Sequence, residues 1–294
     1  MVAINPGAAD LGRINAVLHG RNAHRYEHRF TGPLSVKAVM RGVATWETRA
    51  GRYEVGPGTV LLLEDGEEYE ITIDSLQPVE TWCFFFARGF VEDAWRAATT
   101  SSSALLDAPE DIARAPLAER LHFDAPLVAA MQRAHAMPDS LDAAFFATAN
   151  AIVGVQCDVA ARAERLPSLR ASTREELARR LRIATAFLHA NVGRRVTIDE
   201  AAREACLSPF HFHRLFASFH GTTPYRYLTT LRMQRARMLL RATDRPIADV
   251  AFDCGFESLG SFTTLFTRVA GVPPARFRRN RETDARIGAI ASSA

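Results

Sequence analysis

One pattern occurs twice near the C-terminus and limits what this chain can fold into. Ile198, Ala202, Leu207, Ser208, Phe212, Leu215, Phe216, Gly221 and Pro224 recur as Ile247, Ala251, Phe256, Ser258, Phe262, Leu265, Phe266, Gly271 and Pro274. The offset is 49 before the turn and 50 after it, so the second copy has one extra residue in its turn. A repeat of this length marks a repeated supersecondary unit. Each copy reads as helix, tight turn, helix, the arrangement that sets a helix in the DNA major groove.

Capping chemistry supports both units. A helix stripe runs from Glu175 to His189 and ends at Asn191 and Gly193. Thr197 with Glu200 forms a capping box for a helix from Ile198 to Ala205. Ser208 and Thr223 each precede a proline, a residue that opens helices without losing a hydrogen bond. The helix from Pro224 to about Arg241 would be about 27 Å long, enough to hold two reading heads about one DNA turn apart. Leu228, Leu231, Met238 and Leu239 should face inward, with Arg226, Arg232, Arg235, Arg237 and Arg241 at the surface. The second unit starts at Pro246, turns at Gly255 and restarts at Ser258, with Phe262, Leu265, Phe266 and Val269 inward. A short basic helix through Arg276, Phe277, Arg278 and Arg279 closes this region.

Charge agrees with a polyanion-binding C-terminus. Residues 171–280 hold 18 arginines, no lysine and 9 acids, a net +9, whereas residues 1–170 net −6. The candidate DNA contacts are Ser208, Phe210, His211, His213 and Arg214 in the first unit. In the second they are Ser258, Leu259, Gly260, Ser261, Thr263, Thr264 and Arg268. Arg214 can pair with guanine in bidentate fashion, and Phe210 can pack on a thymine methyl. The second helix offers only apolar contact and single hydrogen bonds, so the first unit should discriminate bases and the second add phosphate and shape readout. Arg214 as a surface ion-pair partner is the alternative. Cys206, His211, His213 and His220 do not make a zinc site, because His211 and His213 point apart on a helix and no cysteines are paired.

Gly255-Phe256-Glu257-Ser258, with Ser261-Phe262, Phe266, Gly271, Pro274 and Arg278, resembles the signature of the AraC/XylS family of transcription regulators. The resemblance covers about residues 175–280. It implies two helix-turn-helix units joined by a long helix. It also implies a DNA-binding regulator, typically an activator near promoters, with RNA polymerase and a second copy of the chain as partners. Cys206 stands where the family usually has glycine, which points to a positive φ at some cost.

The N-terminal region reads as short antiparallel strands. They are Val36–Met40, Gly42–Glu47, Arg52–Val55, Val60–Leu63, Tyr69–Ile73 and Glu80–Phe86, split by turns at 49–51, 56–58 and 64–67. Such strands favour a sandwich or barrel, and the turns at Gly56-Pro57-Gly58 and Glu64-Asp65-Gly66 resemble those of the cupin fold. Aromatics stand near Trp46 and Tyr69, where metal-binding cupins would have histidines, so neither a metal nor a cofactor is expected, and no catalytic residue. Trp46, Tyr69, Trp82 and Phe84, with Arg41 for an anionic group, are the candidate lining of a small-molecule pocket; the alternative is a filled core. His19, His24 and His28 precede the first clear strand and read as surface residues.

The reading is α+β and multidomain. It comprises a cupin-like antiparallel β-barrel sensor over residues 1–100, a helical dimerisation and connector region over 101–166, and a linker over 167–174. An all-α DNA-binding domain of two helix-turn-helix units over 175–280 and a flexible tail over 281–294 complete it. Within the connector, Leu117–Met137 and Leu141–Arg165 read as helices, with a small-polar loop at 99–103 before them. No run of eighteen apolar residues suggests a membrane span, and Cys83, Cys157, Cys206 and Cys254, far apart in the chain, read as reduced and mostly buried thiols of a cytoplasmic protein. A cupin enzyme fused to a DNA-binding domain and an architectural DNA binder are the rival functions.

Overall fold

The computed structural model describes residues 2–99, 120–123, 126–167 and 170–279. The tail at 281–294 and most of the loop at 99–103 lie outside the described residues. The strands are β1 (Ala3–Ile4), β2 (Ala16–Thr31), β3 (Ser35–Arg41), β4 (Ala44–Thr48), β5 (Gly51–Val55), β6 (Thr59–Leu63), β7 (Glu68–Phe85) and β8 (Leu121–Phe123). They form one sheet in the order β1-β2-β7-β3-β6-β8, with β4 paired to β7 and β5 paired to β4. β7 organises it. Its C-terminal half pairs with β3 and its N-terminal half with β4, so the sheet folds over its own inner face. No pairing among the described residues closes the ring, so the expected barrel is an open, curved sheet.

Three expectations need correction here. His19 and His24 do not precede the first strand: they lie in β2, which pairs with β7 along most of its length. β2 escaped notice because His, Arg and Asn crowd it and its apolar alternation is weak. The two strands expected at 69–73 and 80–86 are one, because the ladder resumes beyond residues 75–78, which have no partner on β2. The helix expected from Leu117 starts at Pro126; before it, β8 pairs with β6.

Period-2 alternation gives the sheet two different faces. Trp82, Phe84 and Phe86, with Val36, Val60 and Leu62, pack against α1 (Phe90–Thr99), α2 (Pro126–Ala136) and α3 (Leu141–Ala163). Phe145 of α3 stacks on Phe84 with ring centroids 4.1 Å apart. The stretch Pro138–Ala163 has mean hydropathy 1.4, long and apolar enough by composition to cross a membrane, which counting uninterrupted runs did not reveal. Its Phe145, Ala149 and Ile152 are buried on the sheet. Farther along, Val159 and Ala163 join the core of the helical region. α3 therefore touches both halves of the molecule.

The helical region comprises α4 (Ala171–Ala190), α5 (Ile198–Glu204), α6 (Pro209–His220), α7 (Pro224–Ala242), α8 (Ile247–Asp253) and α9 (Leu259–Ala270). α4 already runs from Ala171, inside the expected linker. The capping box at Thr197 and Glu200 forms, and Ser208, Thr223 and Ser258 each accept a bond from the backbone three residues on. Gly221 and Gly271 end α6 and α9 in the left-handed conformation that only glycine adopts freely. Phe212, Leu215, Phe216 and Phe219 fill the first unit's core; Phe262 and Phe266 fill the second's. Val269, expected inward, is exposed.

The two turns differ in one respect. Gly255 sits at φ +75°, and its counterpart Cys206 at +52°. A side chain there strains the backbone. Cys206→Gly should therefore stabilise the protein by up to about 1 kcal/mol, the relief of strain being partly offset by glycine's entropy. Chemical denaturation of the full-length protein checks this through a higher midpoint at unchanged slope.

Candidate nucleic-acid interface and effector cavity

Both reading helices turn polar faces to solvent because their phenylalanines turn inward. On α6, His211, His213 and Arg214 are exposed, and Phe210 is 79% exposed. Arg214 Nη2 lies 3.2 Å from His211 Nε2, so the two side chains form one polar cluster on adjacent turns. On α9, Gly260, Ser261, Thr264 and Arg268 are exposed, Leu259 is 42% exposed, and Thr263 is half-buried. Ser208 and Ser258 spend their hydroxyls on the helix N-termini.

Between the two units lies an open groove of about 1340 Å³. Gly260, Ser261, Thr264 and Arg268 of α9 form one wall; Thr222, Tyr225, Arg226, Thr229 and Thr230 form the other. The helix pattern assigned Arg226 to the surface but gave no role to Thr222, Tyr225, Thr229 or Thr230. Tyr225, Thr229 and Thr230 put hydroxyl groups along the α7 face away from its leucines, and Thr222 adds one just before the helix.

The sheet encloses a second feature, a cavity of about 330 Å³ on its inner face. Leu18, Phe30, Trp46, Ile71 and Phe85 supply its apolar walls, and Arg25, Glu27, Lys37, Tyr69, Thr81 and Cys83 its polar groups. Trp46 and Tyr69 line it as expected from the pattern. Arg41, Trp82 and Phe84 do not: Arg41 is exposed and donates to Gln77 at 3.1 Å, while Trp82 and Phe84 point to the opposite face, under α2 and α3. Alternation grouped Trp82 with Phe84 correctly, but it cannot tell which face a helix covers. Lys37 was missed, since a lysine inside Val36-Lys37-Ala38 reads as a solvated position on a half-buried strand.

One cluster has metal-ligand spacing among the described residues: His19, Glu80 and His135. His19 Nε2 and His135 Nε2 lie 3.0 and 3.1 Å from the same Glu80 oxygen, and both rings meet Trp82 edge-on. Burial raises the Glu80 pKa and the two imidazole contacts lower it, for a net fall below the ordinary carboxylate value. The triad ties α2 to the sheet, and its three donors could hold a divalent cation.

Two family profiles match this architecture: the AraC-like ligand binding domain over residues 16–141, and the Helix-turn-helix domain over 201–280. The chain belongs to the AraC family. It is 36% identical over 108 residues to the HTH-type transcriptional activator RhaS of Escherichia coli O139:H28. That match spans 37% of this chain and 39% of RhaS. A solved AraC-type regulator from Chromobacterium violaceum is 28% identical, covering 38% of this chain and 96% of that one, with a TM-score of 0.33. The apo form of a ToxT variant from Vibrio cholerae is 12% identical over 90% of this chain and 96% of its own, with a TM-score of 0.35.

In this AraC-family chain the two halves are joined by a buried ion pair. Arg235 of α7 donates to Glu54 of β5 at 2.7 Å, and Arg245, just before α8, donates to the other oxygen at 3.4 Å. Arg245 also pairs with Asp253 at 3.1 Å. The Arg235 side chain is 12% exposed, so this residue, expected at the surface, is committed to the sheet domain. Close approach is built in around the pair. A Cβ on Gly51 would sit 2.5 Å from that of Ala190, and one on Gly56 would sit 2.6 Å from the Met238 sulfur.

Burial opposes ionisation of Glu54, but Arg235 and then Arg245 outweigh it and hold the carboxyl below its ordinary value. A depressed carboxyl stabilises the joint above the ordinary carboxylate range and releases it as the pH falls through the lowered value. Glu54→Ala should cost about 3 kcal/mol by leaving Arg235 buried without a counter-charge. Hydrogen exchange checks it: protection should fall in β5 and α7 together, and the wild type should show the same loosening only in acid.

Proposed function

We propose that the chain is a sequence-specific DNA-binding transcription regulator, an activator, whose N-terminal domain responds to a small-molecule effector. The observation that carries this is the pair of N-capped helices with exposed polar faces, with a groove lined by arginine and hydroxyl groups between α9 and the start of α7. In this reading α6 enters one major groove and reads bases through Arg214, His213, His211 and Phe210. α9 enters the next, with Leu259, Ser261, Thr263, Thr264 and Arg268 supplying shape and backbone contacts. Tyr225, Arg226, Thr229 and Thr230 track the phosphates between them.

The effector would occupy the inner cavity and act through the ion-paired joint and α3, both of which touch the helical region. A ligand changes DNA binding only through unequal affinity for two arrangements of the halves. The residue boundaries of the sensor at 1–100, the connector at 101–166, the linker at 167–174 and the DNA-binding domain at 175–280 belong to the same proposal. So do dimerisation through the connector, contact with RNA polymerase and a cytoplasmic location. The relative RhaS bears the name of a transcriptional activator, which supports the sign of regulation.

Binding-site selection with the purified full-length protein tests the reading. An enriched site with two halves, bound with strong salt dependence, is the expected result; uniform affinity for all duplexes would favour the architectural binder. Arg214→Ala should cost about 1–3 kcal/mol and relax preference at one position in one half-site. Quantitative footprinting on single-base variants checks it, and an unchanged profile would remove Arg214 from the contact set.

A further inference from the structure

Of the 36 basic residues in this chain, 35 are arginine and one is lysine. That lysine, Lys37, is 1% exposed and lines the inner cavity. Its Nζ donates to the Tyr69 hydroxyl at 2.8 Å and sits 3.7 Å from the centre of the Phe85 ring and 4.4 Å from that of Tyr69. Among the described residues no carboxylate lies within ion-pair distance of it. The charged groups around it have partners elsewhere. Arg25 and Glu27 of β2 pair with each other, Glu67 in the turn before β7 pairs with Arg120, and His19 at the cavity edge meets Glu80. Cys83 and Tyr69 of β7, the nearest titratable neighbours, stay neutral because burial pushes both upward.

A buried ammonium with only ring faces and one hydroxyl for company is costly. Burial lowers the Lys37 pKa to about 7, so the amine loses its proton readily near neutral pH. Arginine, used everywhere else in this chain, would remain charged there. Leu18, Phe30, Trp46, Ile71 and Phe85 make the apolar walls, and the other charged side chains of the lining, Arg25 and Glu27, pair with each other. One unpaired cation balances one negative charge, which a dianion such as a phosphate ester would exceed.

We propose that the effector is a small organic monoacid: its carboxylate pairs with Lys37, and its apolar body lies against Trp46, Phe30 and Phe85. The proposal rests on the reading of the N-terminal domain as a ligand-responsive sensor and adds the chemical class. At 330 Å³ the cavity stands at the small end of ligand sites. Pairing makes the bound lysine hold its proton, so above about pH 7 each binding event takes up a proton from solvent. Affinity should then fall by up to about tenfold per pH unit above that point, and be flat below it.

Calorimetry and thermal shift on the full-length protein test this, with phenylacetate, cinnamate and hexanoate as probes and their primary amides as matched neutral controls. The acids should bind and the amides should not, with proton uptake near one at pH 8.5 and near zero at pH 6. Lys37→Met, which removes the charge but keeps a long unbranched side chain, should weaken the acids at least tenfold while the thermal midpoint without ligand stays near that of the wild type. Lys37→Arg should bind them without the pH dependence. Equal binding of acids and amides, no acid bound by the wild type, or acids unaffected by Lys37→Met would each overturn the monoacid class. A borohydride-trapped adduct on the lone lysine would overturn it too, in favour of a carbonyl compound. The sensor reading fails separately, if DNA affinity is the same with and without every compound that binds the cavity.

Discussion

The packing of α3 across one face of the sheet sets the rest of the structure. Phe145 stacks on Phe84, and Ala149 and Ile152 follow along the same stripe. Burying an aromatic or aliphatic side chain of this size contributes about 1.5–3 kcal/mol each. Once that face is sealed, the other face has to enclose its own side chains, and the sheet curves around them without closing. The inner face carries the cavity because Lys37, Arg25 and Glu27 stand among the aromatics there. Their polar groups prevent the tight filling seen between Phe84 and Phe145.

The same helix carries the fold's second constraint, the fixed seating of the two halves. α3 contributes Phe145 to the sheet core and Val159 to the helical core, so neither half moves without disturbing it. The Glu54–Arg235 pair adds a directional contact where close backbone approach at Gly51 and Gly56 brings β5 onto α4 and α7. A buried pair of this kind adds little net stability compared with apolar packing, but breaking one partner is costly. That asymmetry suits a joint with defined positions better than a loose tether, and it places the joint on the helix that links the two reading units.

Much of the helical region was legible before any coordinates. Its caps are local: Thr197 with Glu200, Ser208 with Pro209, and the glycines at 221 and 271 act within one turn of chain. The phenylalanine stripes also follow directly from helical periodicity. The sheet was harder. β2 pairs with β7 across long stretches of sequence, from Thr31 opposite Glu68 to Ala16 opposite Phe85, and its histidines and arginines have no local reason to be extended. The cavity is half legible in the sequence: Trp46 and Tyr69 stand out as aromatics, while alternation alone puts Trp82 and Phe84 on the wrong side and gives Lys37 no role.

The sequence by itself determined the duplicated helical unit, its caps and turns, the positive φ at Cys206 and the basic character of the C-terminal third, because all of these depend on neighbours within a few residues or on composition. Only the tertiary structure decided which face of the sheet is sealed, that the sheet stays open, that Arg235 is held by Glu54, and that the lone lysine lies in a cavity. Each of those depends on which distant segment arrives to cover a surface. A strand's alternation is the same whichever of its two faces is buried.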